Sequence, residues 1–471
     1  MAMTDLHELT ISEAAPLIER REISPLELTR AVLDRIEAVD DKVNAYITVL
    51  KEEALQAAKA AEGMIAAGYY LGPLHGIPVG LKDQIYVRGV RSTAGSKVLA
   101  DFVPEEDATV AARLKRAGAI LIGKTNQHEF AWGGTSDNPH YGPVRNPWDL
   151  SRFPAGSSGG SGAAVAAREC LGALGTDTGG SVRLPSAVNG VTGIRPTIGR
   201  VSNYNVVPLA WSMDTVGPMS RTARDVAEML GAIAGPDIHD AGTANVPVPD
   251  YASFLGRGVE GVRIGIVPDY FFYHLQPPVE SAVRGAIAEL EAQGATVVEV
   301  TLEHIHGNIS AQLTVETAEP SAYHQEWLRE RPGDYGEDVR VLLERGELYL
   351  ATHYIQAQRY RTLLRNEFME ALRDVNVFIC PTLPFVATPV GAMTVVIEGD
   401  QEENMLSAIM QFTGVPSLTG LPSLAVPCGF SPEKLPIGMQ IMGRPFDEGT
   451  LFQVADAYQS VTGWHKESPP L

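Results

Sequence analysis

Two loops rich in glycine and serine, separated by an apolar helix and an apolar strand, occupy residues 153–196 of the 471-residue chain. The first loop carries Ser157, and the second carries Ser181 directly after two glycines. A single helix and strand between two loops can bring both loops to the same edge of a sheet. Glycines leave backbone N–H groups unobstructed, as the binding of an oxyanion requires. The segment therefore predicts an α/β fold with a serine-containing site at a sheet edge.

Short apolar runs alternate with helical patterns along the rest of the chain, which is typical of an α/β layered fold with a largely buried sheet. Candidate strands lie at residues 77–81, 119–122, 170–174, 262–267, 295–300, 375–379, 424–427 and 438–442. Candidate helices lie at residues 51–67, 107–117, 163–169, 221–234 and 279–293, across much of 310–372, and from 448. An S-x-x-E capping box at Ser24 begins a further helix.

The charge and the cysteine content restrict the surroundings and the partners of the protein. A formal charge of −20 disfavours adhesion to nucleic acid or anionic membranes, because both attract basic surfaces. Cys170, Cys380 and Cys428 form no C-x-x-C pair and are interpreted as buried thiols in a reducing compartment. The N-terminus lacks the pattern of a signal peptide, and no run of about 20 apolar residues occurs. We therefore expect a cytoplasmic protein without a membrane or nucleic-acid partner.

Two familiar motifs match this chain in spacing only, and a third pattern, a metal site, finds no support. Residues 118–125 fit the phosphate-loop spacing G-x-x-x-x-G-K-T, but the four middle residues are Ala, Ile, Leu and Ile. Such residues favour an extended strand over the required turn, so the segment is interpreted as a strand. Ser158 fits the G-x-S-x-G elbow, but no downstream histidine lies in a suggestive turn. His304 and His306 form an isolated pair, so we expect no metal site.

A lysine is the candidate base for Ser181, because a serine hydroxyl is a weak nucleophile at neutral pH and needs one. The two serine loops contain no histidine. Lys82 follows the apolar run 77–81, and burial there would lower its pKa until the amine is neutral and basic. A lysine whose charge pairs with the adjacent Asp83 is the structural alternative, and the residues alone leave both interpretations open.

At these residues the chain resembles the amidase signature family of serine hydrolases. The resemblance covers residues 72–235 and extends more weakly to residue 455. The matching blocks are GIPVGLKD at 76–83, IGKTN at 122–126, GSSGGS at 156–161, GTDTGGSVR at 175–183, GIRPT at 193–197 and DTVGP at 214–218. Agreement at this many separate blocks is highly specific.

The resemblance implies a single large α/β/α layered domain, with a mixed and mostly buried sheet surrounded by helices. Its expected parts are N-terminal helices at 1–70, a signature core at 72–235, a variable helical region at 236–375, and the C-terminal part of the core at 376–471. The family usually has a second glycine where this chain has Ala155. Because alanine is small, we expect little effect beyond a more restricted backbone.

The resemblance also implies a catalytic triad of two serines and one lysine. Ser181 is the expected nucleophile, and Ser157, which follows a cis peptide bond, is the expected relay of its proton. Neutral Lys82 is the expected base, which later returns the proton to the leaving group. Backbone N–H groups form the expected oxyanion hole, at Thr178, Gly179, Gly180 and Ser181. Supporting roles are expected for Ser158, beside the lysine, and for the pair Asp177 and Arg183.

The expected activity is hydrolysis of the C–N bond of small amides through an acyl-enzyme, without a metal or other cofactor. Esterase activity is expected at the same site, and carbamate (urethane) hydrolysis stays open. The aromatic residues near the signature blocks either line an acyl or aryl pocket or belong to the core: Phe130, Trp132, Tyr204 and Trp211. We expect a small-molecule amide, ester or carbamate as the partner, and a monomer or homodimer.

Two other functions are compatible with parts of this pattern. The first is the glutaminase/transamidase A subunit of a tRNA-dependent amidotransferase, which the acidity of the chain and the lack of a basic stripe disfavour. The second is a binding or scaffold protein with a degenerate site. It is disfavoured because all three triad positions are present.

Overall fold

A mixed sheet of eleven strands forms the centre of the protein in the computed structural model, which describes residues 3–471. The strands of the described chain are β1 (Tyr46–Val49), β2 (Pro78–Lys82), β3 (Ile120–Thr125), β4 (Gly172–Asp177), β5 (Thr192–Arg195), β6 (Thr215–Ser220), β7 (Arg263–Ile266), β8 (Thr296–Glu299), β9 (Val377–Pro381), β10 (Thr394–Val396), β11 (Glu402–Asn404), β12 (Ser423–Phe430) and β13 (Pro436–Gly443). The sheet order is β1-β3-β2-β4-β6-β5-β12-β13-β9-β7-β8, and β10 pairs separately with β11.

Helices cover the sheet. They are α1 (Ile11–Glu19), α2 (Pro25–Val43), α3 (Lys51–Ala66), α4 (Thr109–Arg116), α5 (Gly159–Ala166), α6 (Arg183–Asn189), α7 (Ala223–Ile233), α8 (Pro268–Phe271), α9 (Pro277–Ala292), α10 (Asn308–Glu330), α11 (Glu337–Gly346), α12 (Ala351–Ala371), α13 (Met405–Ile409), α14 (Gly414–Thr419) and α15 (Glu448–Val461). Every residue of β2, β3, β4, β5 and β6 is buried, so these central strands are covered on both faces. The predicted α/β layered fold is confirmed.

Local sequence signals account for several of these elements. Ser24 Oγ accepts a hydrogen bond from Glu27 N at 3.0 Å, and Glu27 Oε2 accepts one from Ser24 N at 2.8 Å. This is the predicted capping box, and it starts α2 with Pro25 in the first turn. The two C-terminal apolar runs form β12 and β13, which pair in antiparallel register.

Parallel pairing brings three chain segments to one edge of the sheet. Strand β2 is parallel to both β3 and β4, and Lys82 pairs in register with Thr125. The carboxyl ends of parallel strands lie at the same edge. Lys82 ends β2 and Asp177 ends β4, so the lysine and the loop that carries Ser181 meet there.

The helix after the first serine loop is displaced from its expected position. Helix α5 spans Gly159–Ala166 rather than 163–169, so it begins inside the glycine run. A Cβ atom at Gly160 would lie 2.3 Å from the carbonyl oxygen of Asn126 and 2.5 Å from that of Ala45. The glycines therefore serve close packing of a helix against neighbouring backbone, although their composition alone indicates a loop.

Two strands clarify the remaining sequence patterns. Strand β3 contains most of the segment that fits the phosphate-loop spacing, which is therefore a strand as interpreted. Strand β1, which pairs antiparallel with β3, has no counterpart among the expected strands. The division of the chain into four parts stays a prediction.

Within residues 3–471, no helix has the length and apolar character needed to cross a bilayer.

Candidate active site

Lys82 lies at the end of β2 with a fully buried side chain. Its Nζ donates hydrogen bonds to Ser157 Oγ at 2.7 Å and to Thr176 Oγ1 at 2.8 Å. Burial holds the pKa of Lys82 well below its ordinary value, although the more distant charges of Asp214 and Asp177 oppose this shift. The amine is therefore suited to be neutral at physiological pH and to accept a proton.

The structural alternative for Lys82, an ion pair with Asp83, does not occur. Asp83 instead lies beside a second buried lysine, with Lys124 Nζ 3.7 Å from Asp83 Oδ1. Lys124 also donates hydrogen bonds to the carbonyl oxygen of Asp83 at 3.0 Å and to Ser92 Oγ at 2.5 Å. Burial lowers the pKa of Lys124 to about 8. These polar partners indicate a structural role for Lys124 on β3.

Ser157 follows a cis peptide bond to Gly156. Its carbonyl oxygen accepts hydrogen bonds from His128 N at 3.1 Å and from Ser136 Oγ at 3.4 Å. The preceding Ala155 has a φ of +55°, in the left-handed region that favours glycine. Ala155 therefore adopts a backbone conformation that is unfavourable for a residue with a Cβ atom, at the position where a restricted backbone was expected.

Ser181 is slightly exposed, unlike the other two residues of the expected triad. Its side chain is 8% exposed, whereas Lys82 and Ser157 are fully buried. It lines a narrow pocket together with Gly156 and Gly179. Among the described residues, no backbone acceptor pairs with the N–H groups of 179–181. These N–H groups are therefore available to a developing negative charge on a substrate.

A buried ionic network braces the loop that carries Ser181. Asp177 Oδ2 accepts from Arg183 Nε at 3.0 Å, and Asp177 Oδ1 accepts from Arg183 Nη2 at 2.9 Å and Arg195 Nη1 at 3.2 Å. Burial alone would raise the pKa of Asp177, but the two arginines hold it well below its usual range. The first of these contacts is the pair expected from sequence. Arg195 lies in a matching sequence block, but its role was not predicted.

Ser158 reaches the lysine indirectly, through Thr176. Ser158 Oγ donates to the carbonyl oxygen of Thr176 at 3.1 Å and accepts from Thr176 N at 3.2 Å. Thr176 is in turn the second hydrogen-bond partner of Lys82. Sequence reasoning missed Thr176, although it stands inside the block that contains Ser181.

A cavity of about 680 Å³ adjoins the narrow pocket beside Ser181. Trp132, Gly133, Gly134 and Leu406 line both this outer cavity and the narrow inner pocket. The inner pocket is mostly apolar, and its other large side chains are Leu184, Leu209, Glu316 and Met410. Such a lining suits the apolar part of a small molecule, and the polar atoms in it determine which molecule fits.

Of the four aromatic candidates, one lines the pocket beside Ser181. This residue is Trp132. Phe130 is buried against His324, with ring centroids 4.3 Å apart. Tyr204 donates a hydrogen bond to Glu106 on the surface, and Trp211 is 52% exposed beside a separate cavity.

One cluster in the described chain has spacing suited to a metal ion. It consists of Glu303, His304 and Glu367, and the first is exposed while the other two are half-buried. His304 Nδ1 already contacts Glu367 Oε1 at 2.7 Å. Acidic groups at a surface commonly lie together without an ion, and the chemistry at Ser181 does not involve this cluster.

A buried lysine, two serine loops and open backbone N–H groups lie at one sheet edge, as expected for an enzyme of the amidase class. The amidase family model matches residues 27–452, and the chain belongs to the amidase signature family. The A subunit of glutamyl-tRNA(Gln) amidotransferase from Roseiflexus sp. (strain RS-1) is 45% identical, and the match covers 100% of this chain and 99% of that protein.

Solved structures of the same family superpose closely. The A subunit of the glutamyl-tRNA(Gln) amidotransferase from Thermotoga maritima has a TM-score of 0.83 at 33% identity, over 99% of this chain and 98% of that one. A bacterial aryl acylamidase has a TM-score of 0.90 at 26% identity, over 99% of this chain and all of that one. The expected class, an enzyme that acts on C–N bonds, is therefore confirmed.

The expectation of a small molecule as the sole partner, without nucleic acid, is wrong. Relatives that match this chain over its full length are named as one subunit of an enzyme that acts on a tRNA. The expectation depended on the formal charge of the whole chain, −20. In a multisubunit enzyme, the chain that holds the amide-cleaving site need not carry the basic surface that binds nucleic acid. Net charge of one chain is therefore a poor guide to the partners of the assembly.

Proposed function

We propose that the chain hydrolyses amides through an acyl-enzyme on Ser181 and acts as the glutaminase A subunit of a tRNA-dependent amidotransferase. The observation that carries the hydrolytic step is the fully buried Lys82, whose Nζ lies 2.7 Å from Ser157 Oγ. The assignment to an amidotransferase is supported by the full-length similarity, at 45% identity, to a protein named as the A subunit of such an enzyme.

The proposed reaction has two halves. Ser181 Oγ attacks the amide carbonyl carbon, its proton passes to Ser157, and the proton of Ser157 passes to the neutral amine of Lys82. The C–N bond then breaks, and the proton returns through Ser157 to the departing nitrogen. Ammonia is released, and the acyl group remains bound to Ser181 as an ester. Water hydrolyses that ester to the free acid by the same proton relay. Backbone N–H groups from Thr178 to Ser181 stabilise the oxyanion in both halves.

The reaction can be tested apart from the assembly. Ser181→Ala should lower the rate of ammonia release by about 10⁴-fold or more, because the nucleophile is lost. Ser151→Ala is the matched control, since Ser151 is an exposed loop residue whose hydroxyl contacts Asp149. Mass spectrometry of the wild-type chain during turnover should detect an acyl group on Ser181. Full activity of Ser181→Ala would overturn the reaction.

The assignment to a multisubunit enzyme needs a different experiment. A tagged chain should be purified from the cells that naturally express it, with Ser181→Ala as the inactive control. The purified material should contain partner subunits, and it should convert glutamyl-tRNA(Gln) to glutaminyl-tRNA(Gln) with glutamine as nitrogen donor. Purification of the chain alone, with glutamine hydrolysis no faster than that of simple amides, would contradict the assignment.

A second candidate function is favoured by the lining of the inner pocket. Free glutamine carries an ammonium and a carboxylate, and burial of either charge without a partner is costly. The side chains that surround Ser181 are largely apolar, among them Trp132, Leu209 and Met410. This lining favours an amide with an apolar acyl group. Hydrolysis of esters and carbamates with the same acyl groups belongs to this candidate.

A substrate panel separates the two candidates. Values of kcat/KM should be measured for L-glutamine, hexanamide, benzamide, and the ethyl esters and carbamates of matched size. Preference for glutamine by 100-fold or more, about 3 kcal/mol, would support the glutaminase. Preference of the same size for hexanamide or benzamide would support the second candidate.

A further inference from the structure

Two buried polar atoms, on side chains that line the pocket beside Ser181, lack a hydrogen-bond partner among the described residues. They are Oε1 of Glu316 and Nε1 of Trp132. Glu316 is 1% exposed and Trp132 is 2% exposed. Buried polar atoms are nearly always paired, so an unpaired one at a binding pocket points to a partner on the ligand. The proposed reaction gives neither atom a role.

Glu316 is held in place by its own helix. It lies on α10 one turn after Gln312, whose Nε2 donates to Glu316 Oε2 at 3.1 Å. The other carboxyl oxygen, Oε1, approaches the loop of the nucleophile. A Cβ atom at Gly179 would lie 2.5 Å from it. A larger residue at this position would displace the carboxyl group, which therefore lies directly against the loop that carries Ser181.

The surroundings of Glu316 favour the protonated form of its carboxyl group. Burial raises its pKa to about 8, against the opposing hydrogen bond from Gln312. Asp214 and Asp177 raise the pKa further, and Arg195 lowers it. The charge of Arg195 is engaged by Asp177, with which it forms an ion pair at 3.2 Å.

Both unpaired atoms are hydrogen-bond donors. Because Oε2 of Glu316 accepts from Gln312, the proton of the neutral acid belongs on Oε1. The indole N–H of Trp132 donates and never accepts. The pocket therefore offers two donors on an otherwise apolar wall.

We propose that Glu316 and Trp132 determine substrate specificity by donating hydrogen bonds to an acceptor oxygen in the acyl half of the amide. Within the second candidate function, the preferred substrate class is then an amide whose apolar acyl chain is interrupted by an ether or carbonyl oxygen. A site built to bond a polar atom rejects the analogue that lacks it, because its own polar groups then stay unpaired. The inference rests on the proposed hydrolysis at Ser181.

Matched substrates test this proposal directly. Each ether amide is compared with the amide that has a methylene in place of the oxygen: methoxyacetamide with butanamide, 3-methoxypropanamide with pentanamide, and 4-methoxybutanamide with hexanamide. Ammonia release gives kcat/KM for each, and the ether-to-methylene ratio is the readout. Comparison of this ratio between enzyme variants cancels the intrinsic reactivity of each amide.

The wild type should favour at least one ether amide more than Glu316→Leu does, by about three- to tenfold. Glu316→Gln, which keeps a donor, should retain the preference, and Trp132→Phe should weaken it. The wild-type preference should fade as the pH rises through about 8, since the carboxyl group ionises there, whereas that of Glu316→Gln should persist.

Two results would overturn the proposal. One is an ether-to-methylene ratio that is the same in the wild type, Glu316→Leu and Trp132→Phe for all three pairs. The other is a preference for 4-aminobutanamide over pentanamide that depends on Glu316, because an ammonium group requires an ionised carboxylate. Both leave amide hydrolysis itself intact. A failure of the proposed hydrolysis at Ser181 would instead abolish turnover of the whole panel.

Discussion

Lys82 and Lys124 are both fully buried at the ends of adjacent parallel strands, and of the two only Lys124 lies beside a carboxylate. The amine of Lys82 has hydroxyl partners instead, on Ser157 and Thr176. Hydroxyl groups compensate the loss of water around an amine but not around a full positive charge. The two lysines therefore provide matched variants, one at the expected base and one at a structural position.

Replacement of Lys82 by methionine should remove activity and increase stability. Loss of the base should lower kcat/KM by about 10²–10⁴-fold. An apolar side chain of similar length should raise the free energy of unfolding at pH 7 by about 1–4 kcal/mol, because folding then no longer removes water from an amine. Urea unfolding and ammonia release measure the two effects. Lys124→Met should lower stability instead, since it leaves Asp83 buried without its lysine. Equal losses of stability in both variants would contradict this prediction.

The pH dependence of activity should follow the ionisation of Lys82. The protonated amine cannot accept a proton, so kcat/KM for a neutral primary amide should rise with pH and level off well below 10.5. Because the folded-state pKa of Lys82 is lowered, the unfolded chain binds the extra proton between that pKa and 10.5. The free energy of unfolding should therefore also rise with pH across this window. Initial rates and unfolding curves from pH 5 to 10 measure both. An activity that falls throughout this range would exclude a lysine base.

Removal of the charge on Asp177 should destabilise the protein strongly. Asp177→Asn leaves Arg183 and Arg195 buried without their carboxylate, at a cost of about 3–5 kcal/mol. The matched control is Asp149→Asn, which breaks the 3.6 Å surface pair with Arg152 and should change stability by less than about 1 kcal/mol. Since the folded-state pKa of Asp177 is depressed, its contribution is present above the ordinary pKa of a carboxylate and is lost in acid. Equal unfolding midpoints for both variants would refute the bracing role.

Glycine at position 155 should stabilise the protein. Ala155 has a φ of +55°, where an L-residue with a Cβ atom is strained by about 1–2 kcal/mol. The greater freedom of glycine in the unfolded chain offsets part of this gain, so Ala155→Gly should add up to about 1 kcal/mol. The control, Ala166→Gly, lies at the end of α5 and should lose about 1 kcal/mol. Thermal unfolding of the two variants checks the opposite signs.

Local patterns predicted those parts of the fold that local interactions determine. The capping box at Ser24 and the two apolar runs of β12 and β13 contain their own start and turn signals. Strand β1 consists of residues that are common in strands, but it is only four residues long and stands between two helical patterns, so its pairing with β3 was not predicted. The early start of α5 depends in the same way on neighbouring backbone that only the folded chain supplies.

In the candidate site too, some residues could be predicted from the sequence and others could not. Lys82, Ser157 and Ser181 stand in motifs whose composition and family resemblance indicate their chemistry. Thr176 stands in one of these motifs without a sign of its contact with the lysine, and Glu316 stands in none. The contact between Lys82 and Thr176 joins residues 94 positions apart, and Glu316 resembles any polar residue on a long helix until Gly179 packs against it.

The inner pocket combines two separate stretches of the chain. One part of its lining, which includes Ser181, comes from residues 131–209, whereas Glu316, Leu406 and Met410 come from a later region around α10 and α13. Substitutions in the later stretch can therefore change which substrate binds, while the proposed catalytic residues are inherited unchanged. A lineage could acquire a new substrate in this way through a few changes in one segment, without passing through an inactive ancestor.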